Sequence, residues 1–587
     1  MRLARDSGIL LLNPGVPDAK GDILRIKLHR LLMLLVVAML AIAVAGCGGD
    51  DDDDAVGDTT TTEEPAEGGG TLVFGTSQDP VVLDGALVSD GESLRAIDQM
   101  FEGLVTLSAG GTDIEPALAT EWEASEDGLA WTFTLREGVT FHDGEPFNAD
   151  AVCFNFDRWY NFPAPLQSPS ASYYWQTVFG GFADPAEGSP ETSLYASCEA
   201  TDETTVVLNL TKASSSFLGA LALTNFTIAS PAALQEFGAD EGTVDEDTGF
   251  RPTGTYGTEH PVGTGPFKFE SWTRGDRLVM VRHDDYWGDP AKLERLIFRP
   301  IPDNAARLQA LQAGEIQGYD LVEPQDVPTI EADENLQILD RPAFNVGYVG
   351  INQATEPLDQ LEVRQAIAHA LNRQRVVDDF YAGRGEVAHE FMPPEVVGYA
   401  DDVTQYEYDP DRSRELLEEA GVETPLEITF CYPTDVSRPY MPDPQRNFEA
   451  LAADLNAAGF EITPRAAPWS PDYLGLALNG QCPLYLLGWT GDFADPDNFV
   501  GTFFQAPTPE WGFNNPEIHG LLDRAESETD LDERESLYQE ANRLIMDFLP
   551  GVPYVHTSPA LAFQANVKGY QPSPVSLEPF ASVYFEE

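Results

Sequence analysis

The chain has 587 residues, with 98 acidic side chains against 33 basic ones and a net charge of −65. A surface of that sign repels nucleic acid and anionic lipid headgroups, which excludes a nucleic-acid-binding role. At 42% hydrophobic residues the length suffices for two or more cores. The acidity suits a salty exterior, where screening relieves self-repulsion, and points to a halophilic source as a hypothesis.

Near the start of the chain, Arg25, Lys27 and Arg30 precede an almost uncharged run over 31–45, which leads into Val44-Ala45-Gly46-Cys47. The charge order and the length of about 15 residues are those of a secretory signal, short of the ~20 that a membrane-spanning helix needs. The small residues before Cys47 resemble a bacterial lipobox. That signal implies cleavage before the cysteine, lipidation of Cys47 and work outside the cytoplasmic membrane. Residues 1–46 are then the signal peptide, with an upstream extension before Ile23. An uncleaved N-terminal anchor is the alternative. Residues 47–70 carry Asp50 to Asp54, Thr59 to Thr62, Glu63-Glu64 and Gly68-Gly69-Gly70. This composition cannot bury a core and predicts a disordered tether; calcium binding by the aspartate run is the other reading. No later apolar run reaches spanning length.

Residues 71–75 read as an opening strand. Trp131, Phe133 and Leu135 alternate with threonines, as in a strand with one buried face. His142-Asp143-Gly144 marks a turn, and Asn148 caps a helix through Ala151, Phe154 and Arg158. Residues 204–210 form another strand, and the Gly-, Thr- and acid-rich stretch 238–260 reads as a loop. A strand pair over 267–272 and 278–282 turns at Arg274-Gly275-Asp276. A helix over 304–313 puts Leu308 and Leu311 on one side. A second α/β region has helices over 363–372, 410–420, 447–458 and 533–548, with strands over 426–430 and 484–487. No internal repeat of solenoid length occurs. The pattern is two α/β lobes.

Catalytic motifs are missing: there is no Gly-x-Ser-x-Gly elbow, Walker A loop, His-Glu-x-x-His or Cys-x-x-Cys. The eight histidines are scattered. Asp492, Asp495, Asp497 and Asn498 crowd one segment but lack the glycine and distant glutamate of an EF-hand loop. We therefore expect no enzyme activity, no cofactor and no resident metal. Besides Cys47, the chain has Cys153, Cys198, Cys431 and Cys482, an even number that permits disulfides in an exported protein.

Several segments together carry a resemblance. Ala119-Thr-Glu-Trp122-Glu-Ala-Ser125-Glu-Asp-Gly128 runs into Trp131-Thr-Phe133, Leu135-Arg136, Gly138-Val139 and Phe141-His142-Asp143-Gly144. Phe147-Asn148-Ala149-Asp150-Ala-Val152 and Phe154 follow. Val262-Gly-Thr-Gly265-Pro-Phe267, Tyr286-Trp287-Gly288, Val363-Arg364-Gln365-Ala366, Tyr408-Asp409-Pro410 and Gly488-Trp489-Thr490-Gly491-Asp492 come after them in order. From Thr71 onward the chain resembles the family 5 extracellular solute-binding proteins of ABC importers, the peptide/nickel group, and in motifs the dipeptide-binding members most. The resemblance implies an α/β, two-lobed periplasmic-binding-protein fold (type II, large peptide-binding subclass) with an inserted α+β subdomain. Lobe I would comprise 71–112, 257–344 and 556–587, the insert 113–256, and lobe II 345–555. Asn345-Val-Gly-Tyr348 and Pro553-Tyr-Val-His556 would cross between lobes. Cys153 and Cys198 both fall in the insert and are the candidate disulfide. Trp131, Phe133 and Leu135 read as core, and His142 as turn punctuation.

By the same resemblance, Asp492 takes a peptide's α-ammonium, and Arg438, in Ser437-Arg438-Pro439-Tyr440, takes its α-carboxylate. Trp489, Gly491, Ser89 and Gly91 would complete the site. A short peptide is a zwitterion whose ends cannot be buried unpaired; Arg offers a planar fork to a carboxylate, and Asp only acceptors to an ammonium. The structural alternatives are an Arg438 paired with Asp435 or Asp443, and an Asp492 that caps its loop. Trp469, Tyr473 and Trp489 read equally as cleft or core aromatics. Two positions depart from the dipeptide group: Phe493-Ala494 stands where small or polar residues are expected, and Asp90 adds a charge beside Ser89. The implied protein is a monomeric lipoprotein on the outer face of the cell membrane. It delivers short peptides to an ABC permease of transmembrane subunits with associated ATPases. The rivals are the same fold binding nickel chelate, haem or oligosaccharide, an extracellular hydrolase, or a structural surface protein.

Overall fold

The computed structural model describes residues 69–245, 249–575 and 578–586. The expected signal peptide, the lipidation site Cys47 and all of the tether but Gly69 and Gly70 lie outside the described residues.

Two sheets organise the chain into two lobes. The first has the order Phe267–Thr273, Arg277–Arg282, Arg295–Pro300, Thr71–Thr76, Gly318–Tyr319, Ala560–Gln564 and Leu336–Asp340. The second has the order Gly385–Glu386, Gly551–Thr557, Asn345–Ile351, Leu484–Thr490, Leu426–Pro433 and Phe460–Ala467. The chain therefore leaves the first sheet after Asp340, enters the second at Asn345, and returns between Thr557 and Ala560. Asn345 ties the two crossings together. Its Nδ2 donates to the Thr557 carbonyl (2.9 Å), and its Oδ1 accepts from Thr557 N (3.1 Å) and Oγ1 (3.0 Å).

A four-stranded antiparallel sheet of Ala119–Ala124, Ala130–Leu135, Thr205–Leu210 and Tyr195–Asp202 stands apart from both. The helix Ala149–Tyr160, capped by Asn148 as its sequence predicts, carries Cys153, which is disulfide-bonded to Cys198 in the strand Tyr195–Asp202. A second bridge joins Cys431 to Cys482 in the other lobe. Phe133 and Leu135 are fully buried, whereas Trp131 is only partly covered, resting against Phe217 at 5.4 Å. His142 does more than mark a turn: its N–H donates to the Gly263 carbonyl, and its ring Nε2 meets the Gly265 carbonyl at 2.9 Å. That contact pins the four-stranded unit to the start of the first sheet. Burial lowers the His142 pKa to about 3. The stretch read as a loop over 238–260 instead holds a hairpin, Gly242–Asp245 with Gly249–Pro252, and a short helix, Tyr256–Glu259. Its glycines and threonines serve turns and edge strands, which composition does not distinguish from loop.

One core packs the first sheet with the four-stranded unit, and a separate one packs the second sheet with its helices. Phe493, from the chain of the second lobe, belongs to the first core.

Candidate binding site between the lobes

The strand Leu484–Thr490 is buried over 484–488, so its first half reads as an unbroken apolar run. It pairs antiparallel with Asn345–Ile351 and parallel with Leu426–Pro433. Thr490 sits opposite Asn345, the residue that ties the crossings. Asp492 therefore emerges at the junction of the lobes. The loop bearing Arg438 leaves the C-terminal end of the neighbouring parallel strand, the side on which open α/β sheets hold ligands.

The glycines of Gly488-Trp489-Thr490-Gly491-Asp492 are there for packing. A Cβ on Gly488 would lie 2.4 Å from Tyr440 Cδ2 and from the Val346 carbonyl oxygen. A Cβ on Gly491 would lie 2.3 Å from Phe344 and 2.5 Å from Phe499. Gly491 N donates to the Phe344 carbonyl (2.9 Å), which fixes the loop where the chain crosses.

Asp492 is partly buried, and its carboxylate is held by neutral donors. Tyr174 OH donates to Oδ1 (2.9 Å) and Asn498 Nδ2 to Oδ2 (3.1 Å). Asn498 Oδ1 accepts the Asp492 N–H (2.7 Å), bracing the loop from within. Desolvation pushes the Asp492 pKa up to about 6, against the pull of the Asn498 and Tyr174 hydrogen bonds. Among the described residues no cation pairs with it. The alternative in which Asp492 caps its loop is met in part, since its Oδ2 holds Asn498 of the same loop, while Asp495 caps the following turn and pairs with Arg534 (2.8 Å). Asp492, Trp489 and Asn498 line a solvent-open cavity of ≈ 570 Å³. Tyr173 and Tyr174, from the helix Pro169–Val178, and Ser214 and Ser216, after the strand Thr205–Leu210, close its other side; these segments and the four-stranded sheet are together called the four-stranded unit.

Arg438 forms a tight turn, with its N–H donating to the Met441 carbonyl (3.1 Å) and the Met441 N–H donating back (2.9 Å). Its guanidinium lies 4.5 Å over the Trp469 ring, and Nε is buried without a hydrogen-bond partner. Neither suggested carboxylate takes it: Asp435 accepts the Trp469 N–H (2.6 Å), and Asp443 pairs with Arg446. Arg438 lines a different cavity, of ≈ 390 Å³, with Ser437, Pro439, Thr557 and residues 558–560. The two charged candidates thus open on separate cavities. Tyr473 is core, its OH donating to the Leu486 carbonyl (2.5 Å), whereas Trp469 and Trp489 are half-exposed. Ser89 and Gly91 are exposed around Asp90, the N-cap of the helix Gly91–Ile97, and line neither cavity. Sequence reasoning missed Tyr174, which is 318 positions from its partner, and gave Asn498 no role, whereas it braces the Asp492 loop. Among the described residues no three His, Cys, Asp or Glu side chains group as a metal site.

Two lobes joined by two crossing segments, with a partly buried carboxylate lining a cavity at their junction, are the architecture of a binding protein. The family model for bacterial extracellular solute-binding proteins, family 5 (middle region), matches residues 113–510, and the chain belongs to that family. It is 32% identical over 531 residues to a dipeptide-binding protein of Escherichia coli, covering 88% of this chain and 95% of the relative. It is also 32% identical over 527 residues to heme-binding protein A of Haemophilus influenzae, covering 87% and 92%. The fold matches the periplasmic binding protein DppA of Helicobacter pylori in complex with the peptide STSA at a TM-score of 0.75. That structure is 29% identical and covers 89% of this chain and 99% of its own. A dipeptide-binding protein from a Pseudoalteromonas species in complex with Met-Leu gives 0.75 at 26% identity, covering 88% and 100%.

Proposed function

We propose that this chain is a lipid-anchored extracytoplasmic receptor for short peptides, which it hands to an ABC permease. The observation that carries this reading is Asp492, a desolvated carboxylate lining a cavity with neutral donors and, among the described residues, no paired cation. A carboxylate in that state is costly until a cation joins it, and an α-ammonium supplies both charge and donors. Arg438, free of any carboxylate among the described residues, supplies the complementary fork for the α-carboxylate. Trp489 and Gly491 shape the Asp492 end, while Ser89 and Gly91 keep at most a peripheral part. The dipeptide-binding relatives and the peptide-bound neighbours support the ligand class. Cys47 carries the acyl anchor, residues 47–70 form the tether, and the protein acts as a monomer without turnover.

Calorimetry on the full chain with dialanine, N-acetyl-dialanine and dialanine amide tests this. Blocking either terminus should cost ~2–5 kcal/mol, roughly 30- to several-thousand-fold in affinity. The haem-binding relative makes haemin the competing ligand. Tight haemin binding without a dipeptide signal would keep the fold and overturn the ligand. Cleavage of dialanine would establish a hydrolase instead.

A further inference from the structure

Phe493 directly follows Asp492 and departs from the small or polar residues expected there. The side chain is 6% exposed, yet the core that buries it is not that of its own lobe. It sits among residues of the first lobe and the four-stranded unit, against the short helix Phe217–Ala220, so closely that a Cβ on Gly219 would lie 3.0 Å from its ring. The same face is held by polar contacts. Ser215 donates to the Glu526 carbonyl from N (3.3 Å) and from Oγ (2.6 Å), and Lys212 Nζ meets the Glu526 carboxylate at 3.0 and 3.1 Å. Tyr174 reaches Asp492 from this unit as well.

We propose that Phe493 is a positioning residue for ligand retention: an apolar plug that seats the Asp492 loop on the inserted unit and so couples occupancy of Asp492 to closure over it. The inference rests on the peptide-receptor reading for its ligand, though the docking contact does not. Exposing a phenylalanine ring on opening loses apolar burial, whereas the Lys212–Glu526 pair, with Lys212 mostly exposed, adds little. Retention therefore depends on Phe493 more than on the charges around it. Phe493 also lines the Asp492 cavity, but its ring makes no hydrogen bond to the carboxylate, so its removal takes away none of the polar partners of Asp492.

Stopped-flow release and association of dialanine, with hydrogen exchange of residues 214–223, would be compared in full-length wild type, Phe493→Ala and Phe493→Leu. The expected result is release faster by about 10- to 100-fold in Phe493→Ala. Association should stay within about threefold, and Phe493→Leu should recover most of the loss. Exchange over 214–223 should quicken in Phe493→Ala and not in Phe493→Leu. Equal release rates in all three chains, or a change in association alone, would overturn the proposal. If wild type binds no dialanine, the ligand reading fails and exchange decides the docking role. Equal protection of 214–223 in wild type and Phe493→Ala would then overturn it.

Discussion

Asp492 titrates where its environment puts it, and this gives the binding account a signature in pH. An unfolded aspartate titrates near ~3.9, whereas desolvation holds this one at about 6. Between those values the folded chain binds more protons than the unfolded one. The group's favourable contribution to folding is therefore complete at low pH and lost as pH rises through about 6. Ligand binding runs the other way, because an ammonium needs the ionised form. Dipeptide affinity should fall as pH drops below about 6, approaching tenfold per unit, and Asp492→Asn should flatten the profile at a low affinity. Titration calorimetry between neutral pH and the onset of acid unfolding checks this.

The strand Leu484–Thr490 and its following loop show what an element contributes. An unbroken apolar run reads as a fully buried strand, and the motif at its end points to Asp492, so both were legible in the sequence. The glycines within the motif were legible only as a pattern; their cause, Tyr440, Phe344 and Phe499 from other segments, required the fold. Gly491→Ala should destabilise the chain by about 3 kcal/mol through overpacking, and should weaken dipeptide binding by displacing Asp492. Urea unfolding and calorimetry on the same variant check both effects. Tyr174 carried no local signal, since its place beside Asp492 depends on the meeting of two units far apart in sequence. The hairpin Gly242–Asp245 with Gly249–Pro252 was hidden by loop-like composition. The Cys431–Cys482 bridge was one of several pairings that an even number of cysteines allows.

At the scale of the whole molecule, the acidic excess is spread over the surface, but one charged cluster is internal. Arg95 and Arg341 lie between Glu92, Asp320 and Glu578, with Arg341 at 2.7 Å from Asp320 and 2.5 Å from Glu578. All five are at least nine-tenths buried. The cluster joins the helix Gly91–Ile97, the loop after Tyr319, the outgoing crossing and the C-terminal segment. Arg341→Ala leaves three buried carboxylates to Arg95 alone and should cost ~3–5 kcal/mol in denaturant unfolding. Arg412→Ala, whose exposed pairs with Glu415 and Glu419 are worth little, should stay within about 1 kcal/mol. If the two variants lost equal stability, the cluster would not be what holds these four segments together.

The central claim is a direct ion pair between Asp492 and a ligand's α-ammonium. A two-by-two comparison tests it: wild type and Asp492→Asn, each titrated calorimetrically with dialanine and N-acetyl-dialanine. The account predicts that acetylation costs wild type ~2–5 kcal/mol and the variant under about 1 kcal/mol, because each change removes the same pair. Equal losses in both chains would show that Asp492 does not hold the ammonium.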